Sequence, residues 1–104
     1  MSQNNKMIVH ATLKIRPGRL AEFCALMSIL KGVIEQGGWK LKGCWTTMIG
    51  RINVVVDIWE VDDANQITSV FEAFFGHPNW PEWESKLAEY VEDEVTQIMT
   101  PIAF

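Results

Sequence analysis

His10 and Asp57 are the two titratable side chains whose positions ask for a chemical explanation. Each sits inside an apolar stretch of strand character, MIVHATLKI and VVVDIWEV. A histidine titrates near neutral pH, so His10 could take a proton from a bound molecule or give one to it. An aspartate in an apolar wall is costly unless it is paired or used. Facing His10, Asp57 would orient the ring and raise its pKa; alone, burial would raise its own pKa and make it a base. The bland alternative for Asp57 is a salt bridge to Lys14, Lys40 or Lys42, and for His10 a structural hydrogen bond. Trp45 and Trp59 could stack on a planar substrate, while Thr12, Thr47 and Gln97 could donate hydrogen bonds to its carbonyl. Trp39, Trp80 and Trp83 read as core or interface anchors.

Other chemistries are poorly supported. His77 lies in Gly-His-Pro at a helix break, where a heme protein could place an axial ligand, but no second ligand or attachment motif accompanies it. Cys24 and Cys44 are too few for a disulfide scaffold, lack an adjacent histidine, and form no zinc spacing with the histidines. There is no phosphate-cradling glycine loop and no nucleotide fingerprint. The expectation is therefore a site without metal or cofactor. A net charge of −4 without a basic block argues against nucleic acid and against an anionic membrane surface. The apolar runs are far short of a membrane span and residues 1–6 lack a signal-peptide core, which makes the cytoplasm the expected location.

The elements that must position these residues follow from periodicity. In 104 residues there is room for one domain, expected over residues 7–104 behind a flexible tail of residues 1–6. Met7–Ile15 alternates as a strand. From Gly18 to Glu35, Leu20, Phe23, Met27, Leu30 and Ile34 form a helical stripe that Gly37-Gly38 ends. Trp39–Ile49 and Asn53–Val61 predict a hairpin turning around Ile49-Gly50-Arg51. Asp62-Asp63 are cap residues for a helix over Ala64–Phe75, and Asn79 for a third helix with Trp83, Leu87, Tyr90 and Val91 inward. Val95–Met99 closes the chain as a short strand. The order β-α-β-β-α(α)-β predicts an α+β, ferredoxin-like antiparallel sheet with helices on one face. The expected helix-covered face carries Val9, Leu13, Val54, Val56 and Ile58. The opposite face would then carry His10, Thr12, Asp57 and Trp59, and its apolar content calls for a symmetric dimer.

The hairpin and the C-terminus resemble a NIPSNAP-type domain of the dimeric α+β barrel superfamily. The resemblance rests on Gly43–Gly50 (GCWTTMIG), Val55–Glu60 (VVDIWE), Pro78-Asn79-Trp80, Thr100–Phe104 (TPIAF) and Arg16–Leu20 (RPGRL), spanning residues 7–104. It implies a homodimer with a sheet-lined cavity in each protomer. The wider superfamily includes cofactor-free monooxygenases, cyclases, isomerases, dehydratases and heme-degrading enzymes, so the resemblance fixes fold better than reaction. Asp57 stands where the family often has a histidine, two positions before the strand tryptophan.

The combined expectation is a cofactor-free enzyme of proton-transfer type (isomerase, cyclase, dehydratase or lyase) or a monooxygenase. Its substrate would be an apolar carbonyl-bearing or aromatic molecule. The alternatives are a non-catalytic ligand- or partner-binding module and, more weakly, a heme-binding monooxygenase using His77.

Overall fold

Alternation of apolar residues along Met7–Ile15 makes the strand on which the sheet is built. The computed structural model describes residues 6–104. Its elements are β1 (Met7–Ile15), α1 (Leu20–Gln36), β2 (Lys40–Thr46), β3 (Val54–Val61), α2 (Ala64–Phe75), α3 (Trp80–Tyr90) and β4 (Val91–Met99). The strands form one antiparallel sheet in the order β2-β3-β1-β4, with the helices on one face. The fold is α+β and ferredoxin-like.

Most local signals act as the residue types dictate. The exception is Asn79, which precedes α3 but makes no side-chain cap bond because its backbone is not in the extended cap conformation. The α1 stripe buries Phe23, Leu26, Leu30 and Ile34, and Gly38 at φ +99° takes the left-handed conformation that ends the helix at little steric cost. Asp63 caps α2, its carboxylate accepting the Gln66 backbone N–H at 3.1 Å. Between α2 and α3 the Asn79 backbone N–H donates to His77 Nδ1 at 3.0 Å, and the His77 ring lies 4.4 Å from Trp83. His77 is thus a turn-forming residue packed on the core. Of the polar stretch 1–6 only Lys6 is described, and its ammonium pairs with Glu60 and Asp62; the expected flexible tail otherwise lies outside the described residues.

Two boundaries differ from expectation. The hairpin strands stop at Thr46 and restart at Val54, leaving residues 47–53 as a loop closed by Thr46 Oγ1 donating to the Val54 carbonyl. The last contact between the two arms is the Thr47 backbone N–H donating to the Val54 carbonyl at 3.4 Å, and beyond it Met48 and Ile49 lie in the loop. The last strand begins at Val91 rather than Val95. Glu92-Asp93-Glu94 has poor strand propensity, but pairing with β1 overrides it: Asp93 lies opposite Lys14 and Glu94 opposite Leu13, while Lys14 Nζ meets Glu92 at 2.8 Å.

The larger correction concerns the faces. Cross-strand partners share a face, and β1 pairs with β3 as Val9 with Trp59, Ala11 with Asp57 and Leu13 with Val55. These residues, with Val61, are buried under the helices, whereas Val54, Val56 and Ile58 lie on the other face with His10 and Thr12. The expected facing of β3 is inverted. Its alternation is ambiguous because Val54, Val56 and Ile58 are as apolar as Val55, Trp59 and Val61, so register alone decides.

Two glycines test the packing. A Cβ at Gly37 would stand 2.4 Å from Cγ2 of fully buried Val70, whereas one at Gly32 would meet nothing within 4 Å. Gly37→Ala should destabilise by about 1–3 kcal/mol through overpacking. Gly32→Ala should stabilise by about 0.5–1 kcal/mol through helix propensity. Urea unfolding of both variants checks the opposed signs.

Candidate functional site

Inward-facing residues of three strands and three helices enclose a cavity of about 260 Å³ between sheet and helices. Its floor comes from Val9, Ala11, Leu13, Asp57 and Trp59 of β1 and β3, its roof from Phe23, Met27, Leu30 and Ile34 of α1. An aromatic wall completes it. Trp39 meets Trp59 edge-on at 6.0 Å and Phe71 at 6.2 Å; Phe71 stacks on Phe75 at 6.3 Å, and Phe75 meets Trp80 at 5.3 Å. Phe71 and Phe75 are exposed, the latter 63%, although both also line the cavity, so they stand at its mouth. Glu94 and Thr96 of the thinly covered β4 add its polar rim.

The chemistry centres on Asp57. It is 4% exposed and the only polar or charged side chain among the buried described residues. Its Oδ2 accepts the Trp59 indole N–H at 2.5 Å, two residues along the same face of β3. Its Oδ1 is buried without any hydrogen-bond partner. Among the described residues no lysine forms an ion pair with it, and Lys14 pairs with Glu92 instead. Burial pushes the carboxyl above its ordinary pKa, against the Trp59 hydrogen bond, which favours the charged form. The negative charge of Glu94 raises it further, and His10 lowers it slightly. Cys44, cross-strand from Asp57, has its thiol pushed up by partial burial and then by Asp57 and Cys24, which disfavours a thiolate nucleophile.

The expected site residues divide between two faces. Asp57 and Trp59 line the cavity. His10, Thr12, Gln97 and Trp45 lie on the opposite face of the sheet: His10 is opposite Ile58 and Gln97, and Thr12 is opposite Val56, itself opposite Trp45. His10 and Asp57 therefore do not form a facing pair, because residues of odd separation across this register point to opposite sides of the sheet. Trp45 is 54% exposed and its indole lies over Gly43, where a Cβ would stand 2.2 Å from the ring. Thr47 is in the hairpin loop. Sequence reading missed the cavity roles of Trp39, Phe71, Phe75, Trp80, Glu94 and Thr96. The i, i+4 spacing of Phe71 and Phe75 was available as a signal, but a second aromatic stripe on a helix also reads as core.

An antiparallel sheet of this order under helices, with a cavity between the layers, defines a ferredoxin-like α+β protein. The NIPSNAP family model matches residues 9–104, and the chain belongs to the NIPSNAP family. It is similar to an uncharacterized NIPSNAP domain protein from Burkholderia xenovorans, with 28% identity, TM-score 0.78, and 94% of this chain and 96% of that one covered. A NIPSNAP family protein from Agrobacterium tumefaciens shares the fold at 18% identity, TM-score 0.83, covering 99% and 94%. So does a putative antibiotic biosynthesis monooxygenase from Bacteriodes thetaiotaomicron, at 17% identity, TM-score 0.71, covering 95% and 91%. No match was found among curated proteins. Among the described residues no helix is long and apolar enough to cross a membrane.

The raised Asp57 pKa has a stability consequence of definite sign. Above the ordinary value of 3.8 the unfolded chain has released a proton that the folded protein still holds, so stability falls as pH rises toward the raised value and the loss is complete beyond it. Asp57→Asn removes this dependence. The variant should be more stable than the wild type at pH 7, with the gap closing as pH is lowered below the ordinary aspartate range. Urea melts across pH check this; a gap independent of pH would mean the carboxyl is not desolvated.

Proposed function

We propose that this protein is a cofactor-independent enzyme acting on a small, largely apolar, carbonyl-bearing or aromatic molecule held between its sheet and helices. The observation that carries the reading is Asp57: a buried carboxyl with one oxygen held by Trp59 and the other unpartnered in an aromatic cavity. Buried polar groups are ordinarily satisfied, and an orphan acceptor at a cavity wall is where a ligand would supply the missing bond. With its pKa raised by burial, Asp57 would move a proton to or from the substrate, as isomerisation, cyclisation, dehydration or lyase chemistry requires. Trp59 fixes the carboxyl plane and leaves Oδ1 for the substrate. The monooxygenase label on a structural neighbour supports oxygen-dependent oxidation of an electron-rich substrate as a variant of the same reading.

Incubating the protein with aryl ketones in deuterium oxide tests proton transfer directly. The α-proton NMR signal should disappear faster with the wild type, and Asp57→Asn should lower that rate by about 10²–10⁴-fold. Exchange by the wild type that Asp57→Asn leaves intact would sink the role of Asp57. Binding of the ketones without exchange would favour the non-catalytic binding module.

The opposite sheet face supports the homodimer. Ile8, Val54, Val56 and Ile58 are only half-covered there, beside exposed Trp45, Val95 and Met99. A contiguous apolar face of this kind is the surface two sheets would bury against each other, with His10, Thr12 and Gln97 between them. Light scattering should give twice the chain mass for the wild type and the single chain mass for Val95→Lys, a substitution that disturbs no buried residue. A monomeric wild type at micromolar concentration would remove the dimer.

A further inference from the structure

The cavity offers acceptors and aromatic faces but almost no donors, and that asymmetry selects a kind of ligand. Its polar groups are few. Asp57 Oδ1 has no partner, Glu94 stands at the rim, and the Thr96 hydroxyl already donates to Glu94 Oε2 at 2.8 Å. Of the three indole N–H groups lining it, that of Trp59 is engaged by Asp57 and that of Trp39 by the Gln66 carbonyl at 2.9 Å. Among the described residues no lysine, arginine or histidine lines it. Two carboxyls thus face a space walled by Trp39, Trp59, Phe71, Phe75 and Trp80 without any countercharge.

We infer that this cavity is built for a cationic ligand, an apolar or aromatic amine whose ammonium group sits against Asp57 and the indole faces while its body fills the aromatic wall. The inference rests on the reading that the cavity binds a small molecule, and it narrows that molecule's class. An ammonium group supplies both things the site lacks: an N–H donor for Oδ1 and a positive charge for a desolvated carboxylate. Ring faces attract a cation where they repel an anion, and Glu94 adds the same sign of field at the mouth. A carboxylate or phosphate ligand would meet two like charges with only the Trp80 indole N–H left to receive it. The volume of about 260 Å³ is near the lower end of ligand pockets, roughly 300 Å³, which suits a single ring with a short amine arm.

Three probes of nearly equal size separate the possibilities: phenethylammonium, phenethyl alcohol and hydrocinnamate, titrated by calorimetry into the wild type, Asp57→Asn and Glu94→Gln at pH 7. The ammonium should bind the wild type at least about tenfold tighter than the alcohol, and hydrocinnamate should bind weakest. Asp57→Asn should erase the preference for the cation while leaving the alcohol's affinity within about twofold; Glu94→Gln, at the exposed rim, should reduce the preference only in part. Alcohol binding as tight as ammonium binding in the wild type would overturn the cation assignment and leave the cavity reading standing. A cation preference unchanged in both variants would place the cation elsewhere and also overturn it. Failure of all three probes to bind the wild type would overturn the cavity reading and this inference with it.

Discussion

A carboxyl group inside an aromatic cavity must be held by something, and here it is held by its neighbour on the same strand. Trp59 donates its indole N–H to Oδ2 of Asp57, which keeps a titratable group under the helices without a basic partner. The arrangement is incomplete by design of its geometry: one oxygen is satisfied and the other is not. Desolvation then raises the pKa, and the cost to stability is concentrated at the one place where a substrate could relieve it.

The rest of the inner layer is arranged around that place. Trp39, just before β2, ties that end of the strand to α2 by donating to the Gln66 carbonyl, and meets Trp59 edge-on. Phe71, Phe75 and Trp80 continue the aromatic line to the surface, where α2 leaves both phenylalanines exposed. Exposed phenylalanines on a helix would ordinarily be a liability; at a cavity mouth they extend the apolar path into it. β4, an edge strand with little above it, contributes the acidic rim through Glu94.

The two faces of the sheet divide the labour. The inner face holds Asp57 and the cavity, while the outer face holds His10, Thr12, Gln97 and Trp45 among half-covered aliphatic side chains. Glycine at position 43 lets the Trp45 ring fold down onto the strand.

Much of this was legible from residue order. The α1 stripe, the Asp63 cap, the Gly37-Gly38 stop and the alternation of β1 each follow from local chemistry, which is why element order and fold class could be read directly. The type of the important residue was legible too: an aspartate beside a tryptophan in an apolar strand demands a purpose. What local chemistry could not decide was which way β3 faces, because valines and isoleucine occupy both of its faces and a shift of one residue inverts every side chain. Nor could it extend β4 back to Val91, since an acidic run becomes a strand only when β1 offers the pairing. The cavity itself depends on aromatic rings from Trp39 just before β2 and from β3, α2 and α3 meeting at 5.3–6.3 Å, and such a meeting exists only once the register of the sheet and the seating of the helices are set.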